Sequence, residues 1–260
     1  MADSRARLMK SLGHHAAKHT AGESTVMEDL CRAFEESQLS LAHRLEAFSA
    51  HVRRQDIARF LTKVELFKLA LNSHGSIVEC GVYSGAGLMT WMHCSSIFEP
   101  YNHTRRIVGF DTFDGFPSVS AEDNSPSAEH VREGAFRLHS GAKQELERLV
   151  AIHDRNRPIG HIAKVELVAG DATKTIPQYL KDNPHFLISL MYLDFDIYEP
   201  TKAALEHFLP RVVSGGIVAF DELNCREFPG ETTALLEKLS LDRVALRRFP
   251  ADPYISYFIK

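Results

Sequence analysis

Three carboxylates stand directly after two strongly apolar segments of the chain. Asp194 follows residues 186–193, and Asp221 and Glu222 follow residues 216–220. If these segments are neighbouring parallel strands, the three side chains meet at the edge of the sheet where ligands bind. Carboxylate oxygens without cysteine or histidine form a hard site that suits Mg²⁺ or Mn²⁺. The alternative is that the three acids cap helices or close turns.

A glycine-rich turn is the second candidate site. Residues 76–80 have the pattern of a short buried strand, and Gly81, Gly85 and Gly87 follow with the spacing G-x-x-x-G-x-G. Because glycine has no Cβ, such a turn brings backbone N–H groups close to a ligand. The spacing differs from the G-x-G-x-x-G of dinucleotide-binding folds, which argues against a nicotinamide oxidoreductase.

Asp111 strengthens the interpretation of this turn as a ligand site. It ends the next apolar segment, residues 106–111. In a doubly wound sheet, an acid at the tip of the second strand lies where the hydroxyls of a ribose bind. The alternative is that Asp111 is a helix N-cap or a turn residue.

Strands and helices alternate along most of the chain, which predicts an α/β fold with a doubly wound, mostly parallel sheet. Parallel strands are expected over residues 76–80, 106–111, 164–168, 186–193 and 216–220, and a closing antiparallel pair over 243–248 and 254–259. Acids follow nearly every parallel strand and form a rim around one crevice: Asp111, Asp171, Asp194 with Asp196, and Asp221 with Glu222. Asp196 is predicted to cap the helix that starts near Pro200.

Two amphipathic helical segments, residues 26–51 and 55–72, precede the first strand. We therefore expect an N-terminal helical extension over residues 1–72 and a ligand-binding domain over residues 73–260, with a long insertion at residues 112–163. Because the extension carries apolar side chains outside the repeating unit, we expect it to cover the site as a lid or to form a contact in a homo-oligomer.

The composition is that of a globular protein, with 44% hydrophobic residues, 25% charged residues and a net charge of −4. A nucleic-acid-binding protein would carry a basic excess. The polar start lacks the apolar segment of a secretory signal, and no apolar run approaches the roughly 20 residues of a membrane span. The four cysteines are scattered, which favours reduced thiols. We expect a cytoplasmic protein that binds neither nucleic acid nor membranes.

Four stretches of the sequence are specific when taken together. They are Val-Glu-Cys-Gly-Val-Tyr-Ser-Gly from residue 78, Gly-Phe-Asp-Thr-Phe-Asp-Gly-Phe-Pro from residue 109, Tyr-Leu-Asp-Phe-Asp-Ile-Tyr-Glu-Pro-Thr from residue 192 and Phe-Asp-Glu from residue 220. In these stretches the chain resembles the macrocin O-methyltransferase family, whose members methylate sugar hydroxyls of antibiotics. The resemblance implies a Rossmann-like class I methyltransferase fold. It also implies S-adenosylmethionine and Mg²⁺ as cofactors and a glycosylated small molecule as the acceptor.

The same resemblance assigns the cofactor-binding residues along the length of S-adenosylmethionine. They are Glu79, Gly81, Ser84 and Gly85 at the methionine end, Asp111, Thr112 and Phe113 at the ribose and nucleoside, and Asp171 and Ala172 at the adenine.

The resemblance also assigns Asp194, Asp221 and Glu222 as metal ligands and Asp194 as the proton acceptor. The family usually carries two adjacent aspartates where this chain has Asp221 and Glu222. The longer glutamate side chain can bind a metal at a shifted angle, through water, or not at all. Histidines of the insertion are the alternative bases: His130, His139, His153 and His161.

Three other functions fit parts of the pattern. In a metal-dependent glycosyltransferase, an Asp-x-Asp after an apolar strand holds a metal and a nucleotide-sugar diphosphate, and Asp194 and Asp196 have that spacing. That function leaves the glycine turn and Asp111 unexplained. A methyltransferase with a phenolic acceptor is the second alternative, and a non-catalytic interaction protein, which the acidic rim disfavours, is the third.

Overall fold

The computed structural model describes residues 20–125 and 131–260. The chain forms two compact units, one that ends at Leu61 and one that spans Thr62–Lys260. The boundary lies within the helix Arg54–Ala70, whereas the sequence pattern predicts a division after residue 72.

Packing explains why the boundary falls inside this helix. In its second half, Leu66, Phe67 and Ala70 are buried in an apolar cluster of the second unit. In its first half, Phe60 and Leu61 are exposed. The sequence shows one continuous apolar face and therefore does not reveal that only its second half is buried.

The regular elements follow the predicted alternation closely. The helices are α1 (Ala21–Glu36), α2 (Leu41–Glu46), α3 (Arg54–Ala70), α4 (Ala86–Phe98), α5 (Ala142–Asp154), α6 (Ala172–Asp182), α7 (Tyr198–His207) and α8 (Pro229–Lys238). The strands are β1 (Ser76–Cys80), β2 (Ile107–Asp111), β3 (Val165–Ala169), β4 (Ile188–Leu193), β5 (Val212–Phe220), β6 (Arg247–Arg248) and β7 (Ser256–Ile259). Short 3₁₀ turns lie at Phe48–Ala50, Ala121–Asp123 and Leu209–Arg211. Throughout the described ranges, no helix has both the length and the apolar character to span a bilayer.

The described part of the first unit is helical. A capping box between Thr20 and Glu23 starts α1, and Ser40 caps α2 by accepting a hydrogen bond from the His43 N–H. No residue of α2 is buried. Several large apolar side chains of this unit are exposed: Val26, Leu39, Leu41, Leu45, Phe48, Phe60 and Leu61.

The second unit is built on a seven-stranded sheet with the order β3-β2-β1-β4-β5-β7-β6. Strands β1 to β5 are parallel, whereas β7 pairs antiparallel with both β5 and β6. The predicted doubly wound sheet with an antiparallel C-terminal pair is therefore confirmed.

Two apolar clusters cover the two faces of the sheet, because successive strand side chains point to opposite faces. One cluster contains Phe110, Tyr179 and Phe208, and the other contains Trp91 and Tyr192. All six residues of β4 are buried, as expected for a central strand with both faces covered.

The start of α7 corrects one prediction from the sequence. The Tyr198 N–H donates to Asp123 Oδ1 at 2.7 Å, and Asp123 is buried and also accepts hydrogen bonds from Ser120. The N-cap residue, Ile197, makes no side-chain cap. The prediction that Asp196 caps this helix is therefore wrong, because a carboxylate of the insertion takes that role across a separation of 75 residues.

A buried ion pair joins α3 to the first strand of the sheet. Lys63 Nζ of α3 is 3.3 Å from Glu79 Oε1 of β1, and both residues are at most 5% exposed. A Cβ on Gly87 of α4 would lie 1.8 Å from the same Glu79 oxygen, so only glycine leaves room for the pair. The pair thus joins α3, β1 and the start of α4.

The pKa of Glu79 is raised to about 7, chiefly because burial disfavours the carboxylate. Lys63 and Trp91 act in the opposite direction without cancelling the effect of burial. The Trp91 Nε1 and Glu79 Oε2 atoms are both buried without a conventional hydrogen-bond partner among the described residues.

This pKa predicts a pH dependence of stability that the Glu79→Gln variant should lack. Folded Glu79 keeps its proton up to a pH of about 7, whereas the unfolded chain releases it near 4.5. The proton therefore favours the folded state at low pH, and this contribution is lost as the pH rises through that window. The unfolding free energy of the parent, measured relative to the variant, should fall by roughly 3 kcal/mol across it. Urea unfolding of both proteins measures the difference, and a difference that rises with pH would contradict the assignment.

Candidate active site

Hydrogen bonds of the sheet continue past the ends of the parallel strands and hold their tips side by side. They run from N–H to C=O at 2.7–2.9 Å: Gly170 to Asp111, Gly81 to Phe110, Asp194 to Cys80, and Asp221 to Leu193. We term the residues Gly170, Asp111, Gly81, Asp194 and Asp221 the strand-end row. The predicted convergence of acids at one edge of the sheet is therefore present in the backbone.

Gly81 and Asp194 make the closest contact in this row. Gly81 has a φ of +100°, and a Cβ at this position would lie 1.8 Å from the Asp194 carbonyl oxygen. Any other residue would force β1 and β4 apart. The start of the glycine turn and the candidate base are thus held against each other by the fold itself.

Asp111 holds the glycine turn in place. Its Oδ2 accepts hydrogen bonds from the N–H groups of Val82 and Tyr83, each at 2.8 Å, and its Oδ1 accepts one from Phe113 at 2.7 Å. Asp111 therefore does act as a turn residue, as the alternative interpretation required. Since a carboxylate oxygen can accept two hydrogen bonds, Oδ1 still has room for a hydroxyl donor.

The other predicted cofactor residues flank this turn. Ser84 is exposed at its outer side, and Gly85 precedes the first residue of α4. The Thr112 hydroxyl donates to the Gly115 carbonyl at 2.6 Å and shapes the loop after β2. Phe113 packs against the cluster that contains Trp91.

Asp171 and Ala172 lie after β3, at the start of α6. Asp171 is the N-cap: its Oδ1 accepts from the Thr173 N–H at 3.0 Å, and its carboxylate pairs with Lys174 at 2.9 Å. Burial raises the pKa of Asp171, but the bonds from Thr173 and Lys174 outweigh it and hold that pKa below its ordinary value. The side chain of Ala172 is buried.

Glu79 lies beneath the turn rather than at its surface. It is 1% exposed and paired with Lys63, so the structure gives it a role in supporting the turn. Its contact with the ammonium group of a cofactor stays a prediction.

Five carboxyl groups lie together beyond β4 and β5: Asp194, Asp196, Asp221, Glu222 and Glu231, here termed the acidic cluster. Burial raises the pKa of Asp196 well above its ordinary value, and the other four carboxyl groups raise it further. The pKa of Glu231 is also well above its ordinary value, first because of burial and then because of Asp221 and Asp194. In the parts of the chain that the structure describes, however, no three acidic, histidine or cysteine side chains are arranged to hold a metal ion.

Two contacts organise this cluster. The Tyr192 hydroxyl donates to Asp221 Oδ1, and Glu231 Oε2 accepts the backbone N–H of Glu222 at 3.1 Å. The other oxygen of Glu231 is buried without a hydrogen-bond partner among the described residues.

Three residues of the site, Lys63, Tyr192 and Glu231, are not among the candidates that the sequence predicts. The available signal was Glu79, a charged residue inside an apolar strand, because a buried carboxylate calls for a nearby cation. Tyr192 stands two residues before Asp194 on a strand and therefore points to the same face. No local signal marks Glu231, which lies in α8 and is separated from Glu222 by a loop.

The histidines proposed as alternative bases contact other groups. His139 is 3.0 Å from Glu145, and the ring of His153 lies 4.7 Å from the ring of His93. His161 is exposed, and His130 lies outside the described residues. The described contacts of His139 and His153 are therefore with groups outside the acidic cluster.

Solved structures similar to this chain include two of CalS11. One, of CalS11 as a calicheamicin methyltransferase, is 36% identical, covers 93% of this chain and 94% of that chain, and superposes with a TM-score of 0.88. The other, of apo CalS11 described as a TDP-rhamnose 3'-O-methyltransferase in calicheamicin biosynthesis, is 33% identical, covers 93% and 96%, and gives a TM-score of 0.80.

A similar curated protein is the 8-demethyl-8-(2,3-dimethoxy-alpha-L-rhamnosyl)-tetracenomycin-C 4'-O-methyltransferase of Streptomyces olivaceus. The two are 29% identical over 154 residues, which cover 57% of this chain and 52% of the relative. The chain thus spans about half the length of this relative.

The family comparison covers the site described above. The model of the macrocin-O-methyltransferase (TylF) family matches residues 68–229, from the end of α3 to the start of α8. This range includes the glycine turn, Asp111 and four of the five residues of the acidic cluster. The chain belongs to the macrocin O-methyltransferase family.

Proposed function

We propose that the protein transfers a methyl group from S-adenosylmethionine to a hydroxyl of a sugar in a natural product or its nucleotide-linked precursor. The observation that carries the proposal is the contact between Gly81 and Asp194, which sets a candidate base beside the candidate cofactor turn. Family membership supports the same activity and disfavours the glycosyltransferase alternative.

The chemistry requires three groups to be aligned. The acceptor oxygen attacks the methyl carbon of the sulfonium, the carbon–sulfur bond breaks, and its electron pair stays on sulfur to give S-adenosylhomocysteine. The acceptor hydroxyl loses its proton, and we assign a carboxylate oxygen of Asp194 as the proton acceptor. Because an alkyl hydroxyl is a poor nucleophile, alignment behind the methyl group supplies much of the rate.

The cofactor lies, in this proposal, along the strand-end row. Gly81, Ser84 and Gly85 line its methionine end, Asp111 meets the ribose through the remaining acceptor position of Oδ1, and Asp171 and Ala172 flank the adenine. Because the Ala172 side chain is buried, its backbone would make this contact. Thr112 and Phe113 shape the loop beside the nucleoside, while Glu79 supports the turn from below.

The proposal includes a divalent cation, Mg²⁺ or Mn²⁺, with Asp194, Asp221 and Glu222 as its ligands. The donor set supports this part, because the acidic cluster offers hard oxygen donors only. A bound cation would lower the pKa of the acceptor hydroxyl. Since the described side chains do not form a three-ligand group as placed, binding requires the Asp194 and Glu222 side chains to rotate toward Asp221.

The acceptor is a sugar hydroxyl, in this proposal, and the relatives suggest two states of that sugar. CalS11 is described as acting on TDP-rhamnose, whereas the Streptomyces olivaceus relative is named for a rhamnosyl group on tetracenomycin. Both names contain rhamnose, so a rhamnose-type sugar is our first choice. The free thiols of Cys31, Cys80, Cys94 and Cys225 support a cytoplasmic location.

A methyl-transfer assay tests the proposal directly. The protein is incubated with S-adenosylmethionine and with TDP-rhamnose, a rhamnosylated aglycone or a simple catechol, and products are identified by mass. We expect methylation of at least one rhamnose-containing acceptor. Transfer to the catechol alone would replace the sugar by a phenolic acceptor, and no transfer with any acceptor would contradict the proposal.

The same assay after exhaustive chelation tests the cation. We expect turnover to be lost with EDTA and to return when Mg²⁺ or Mn²⁺ is added. The added cation would neutralise the acidic cluster and activate the acceptor hydroxyl. Full turnover in the chelated protein would remove the metal from the proposal and leave methyl transfer intact.

Asp111→Ala should weaken the binding of S-adenosylmethionine by about 1.5–3 kcal/mol, or about 10- to 150-fold in Kd. The variant loses the contact with the ribose and the acceptor for the turn N–H groups. Calorimetry measures the affinity, and Asp114→Ala, which removes an exposed aspartate of the same loop, is the control. Parental affinity in the Asp111 variant would rule out this position for the ribose.

Asp194→Asn keeps the shape of the side chain but removes its charge. Turnover should fall by about 10²-fold or more, the scale of general base catalysis, while affinity for S-adenosylmethionine changes little. The exposed Asp182 at the end of α6 provides the control, since Asp182→Asn should turn over like the parent. If Asp194→Asn is equally active, the base lies elsewhere, and the histidines of the insertion become the candidates.

The first unit, in this proposal, is a lid or an interface of a homo-oligomer. Its exposed apolar side chains support this role, because such a surface is rarely left in water. Leu45→Glu together with Phe48→Glu should convert an oligomer to a monomer in light scattering, or raise the KM of the acceptor if the unit is a lid. No change in either quantity would contradict both roles.

A further inference from the structure

We propose that Tyr192 is a positioning residue for Asp221, and that its hydroxyl sets the rate of methyl transfer without taking part in cofactor binding. The inference rests on the proposed function and adds a residue that acts through the acidic cluster. Tyr192 lies in β4, is completely buried, and pairs in register with Glu79 of β1 and Ala219 of β5.

The first observation is the hydrogen bond itself. The Tyr192 hydroxyl donates to Asp221 Oδ1, and Asp221 is 2% exposed. A hydroxyl that donates to a carboxylate makes a charge-assisted bond, which is stronger than a neutral one. The bond fixes the rotation of the Asp221 carboxylate and hence the direction of its second oxygen.

The second observation is the environment of the tyrosine ring. Lys63 Nζ lies 4.0 Å from the centroid of the Tyr192 ring. The same ammonium group also contacts the Glu79 carboxylate and the Trp91 ring. An ammonium group over an aromatic face is attracted to the ring and draws electron density from it. The phenol therefore becomes a better hydrogen-bond donor toward Asp221.

The third observation concerns the free energy of burying the Tyr192 hydroxyl. A phenylalanine would fill the same apolar space without burying a hydroxyl, and burying a hydroxyl costs free energy unless it is hydrogen-bonded. The tyrosine hydroxyl donates its hydrogen bond to an acid of the acidic cluster. Its value therefore lies in the orientation of that acid.

The Lys63–Glu79 pair extends this arrangement to the glycine turn. Glu79 Oε1 sits against Gly87 in the first turn of α4, so the ammonium group that polarises Tyr192 also fixes the helix that follows the turn. Contacts of β4 and β1 with α3 and α4 thus connect Asp221 with the helix that follows the candidate cofactor turn. Removal of the Tyr192 hydroxyl breaks its bond to Asp221 and leaves the Lys63–Glu79 pair in place.

The test is Tyr192→Phe, which removes the hydroxyl and keeps the ring and its contact with Lys63. We expect kcat to fall by about 10- to 100-fold, as for other residues that orient a catalytic group, with the Kd of S-adenosylmethionine within about twofold of the parent. Tyr179→Phe is the matched control, because the Tyr179 hydroxyl also donates to a carboxylate, Glu166, at 3.2 Å but outside the acidic cluster. The control should keep the parental kcat.

A double-mutant cycle identifies the group through which the hydroxyl acts. In an Asp221→Asn background, Tyr192→Phe should have no further effect on kcat. An unchanged kcat for Tyr192→Phe in the parent, or an equal loss in the Asp221→Asn background, would overturn the inference while the proposed function stands. If the parent transfers no methyl group to any acceptor, both fall together.

Discussion

The close backbone contact between Gly81 and Asp194 is the constraint on which the rest of the site depends. It exists because β1 and β4 are adjacent and because Gly81 has no Cβ at a position where one would lie 1.8 Å from a carbonyl oxygen. Both residues also belong to the strand-end row, whose hydrogen bonds hold their backbones. The sheet thereby positions the backbones of the proposed base and of the proposed cofactor turn, which suits a reaction that depends on alignment.

Buried charge surrounds this constraint on two sides. Under the turn, Lys63 partly compensates Glu79, whose pKa of about 7 reflects the burial that the pair does not fully offset. Beyond β4 and β5, burial and the neighbouring carboxyl groups of the acidic cluster raise the pKa of Asp196 and of Glu231 above the ordinary value. Positive charge beside these groups would favour their ionised forms.

Much of the fold and part of the site follow from the sequence. Apolar strands that end on acids predict that β4 and β5 are neighbours, which the sheet confirms, and the parallel ladder places Asp111, Asp194 and Asp221 in one row. The sequence does not predict the hydrogen bonds between side chains and groups that lie far apart along the chain. The spacing of Asp196 and Pro200 suggests a local cap, but the Tyr198 N–H is bonded to Asp123, which only the folded insertion brings there. The Tyr192–Asp221 hydrogen bond also joins residues that are distant in the sequence. The sequence gives no sign of it, because a tyrosine in an apolar strand is usually a core residue.

A crystal structure with S-adenosylhomocysteine bound tests the central claim most directly, because it locates the cofactor relative to the strand-end row. We expect the sulfur atom beside Gly81 on the side of Asp194, the ribose hydroxyls at Asp111, and the purine next to Asp171 and Ala172. A nucleoside bound away from Asp111, or a sulfur atom separated from Asp194 by another element, would contradict it.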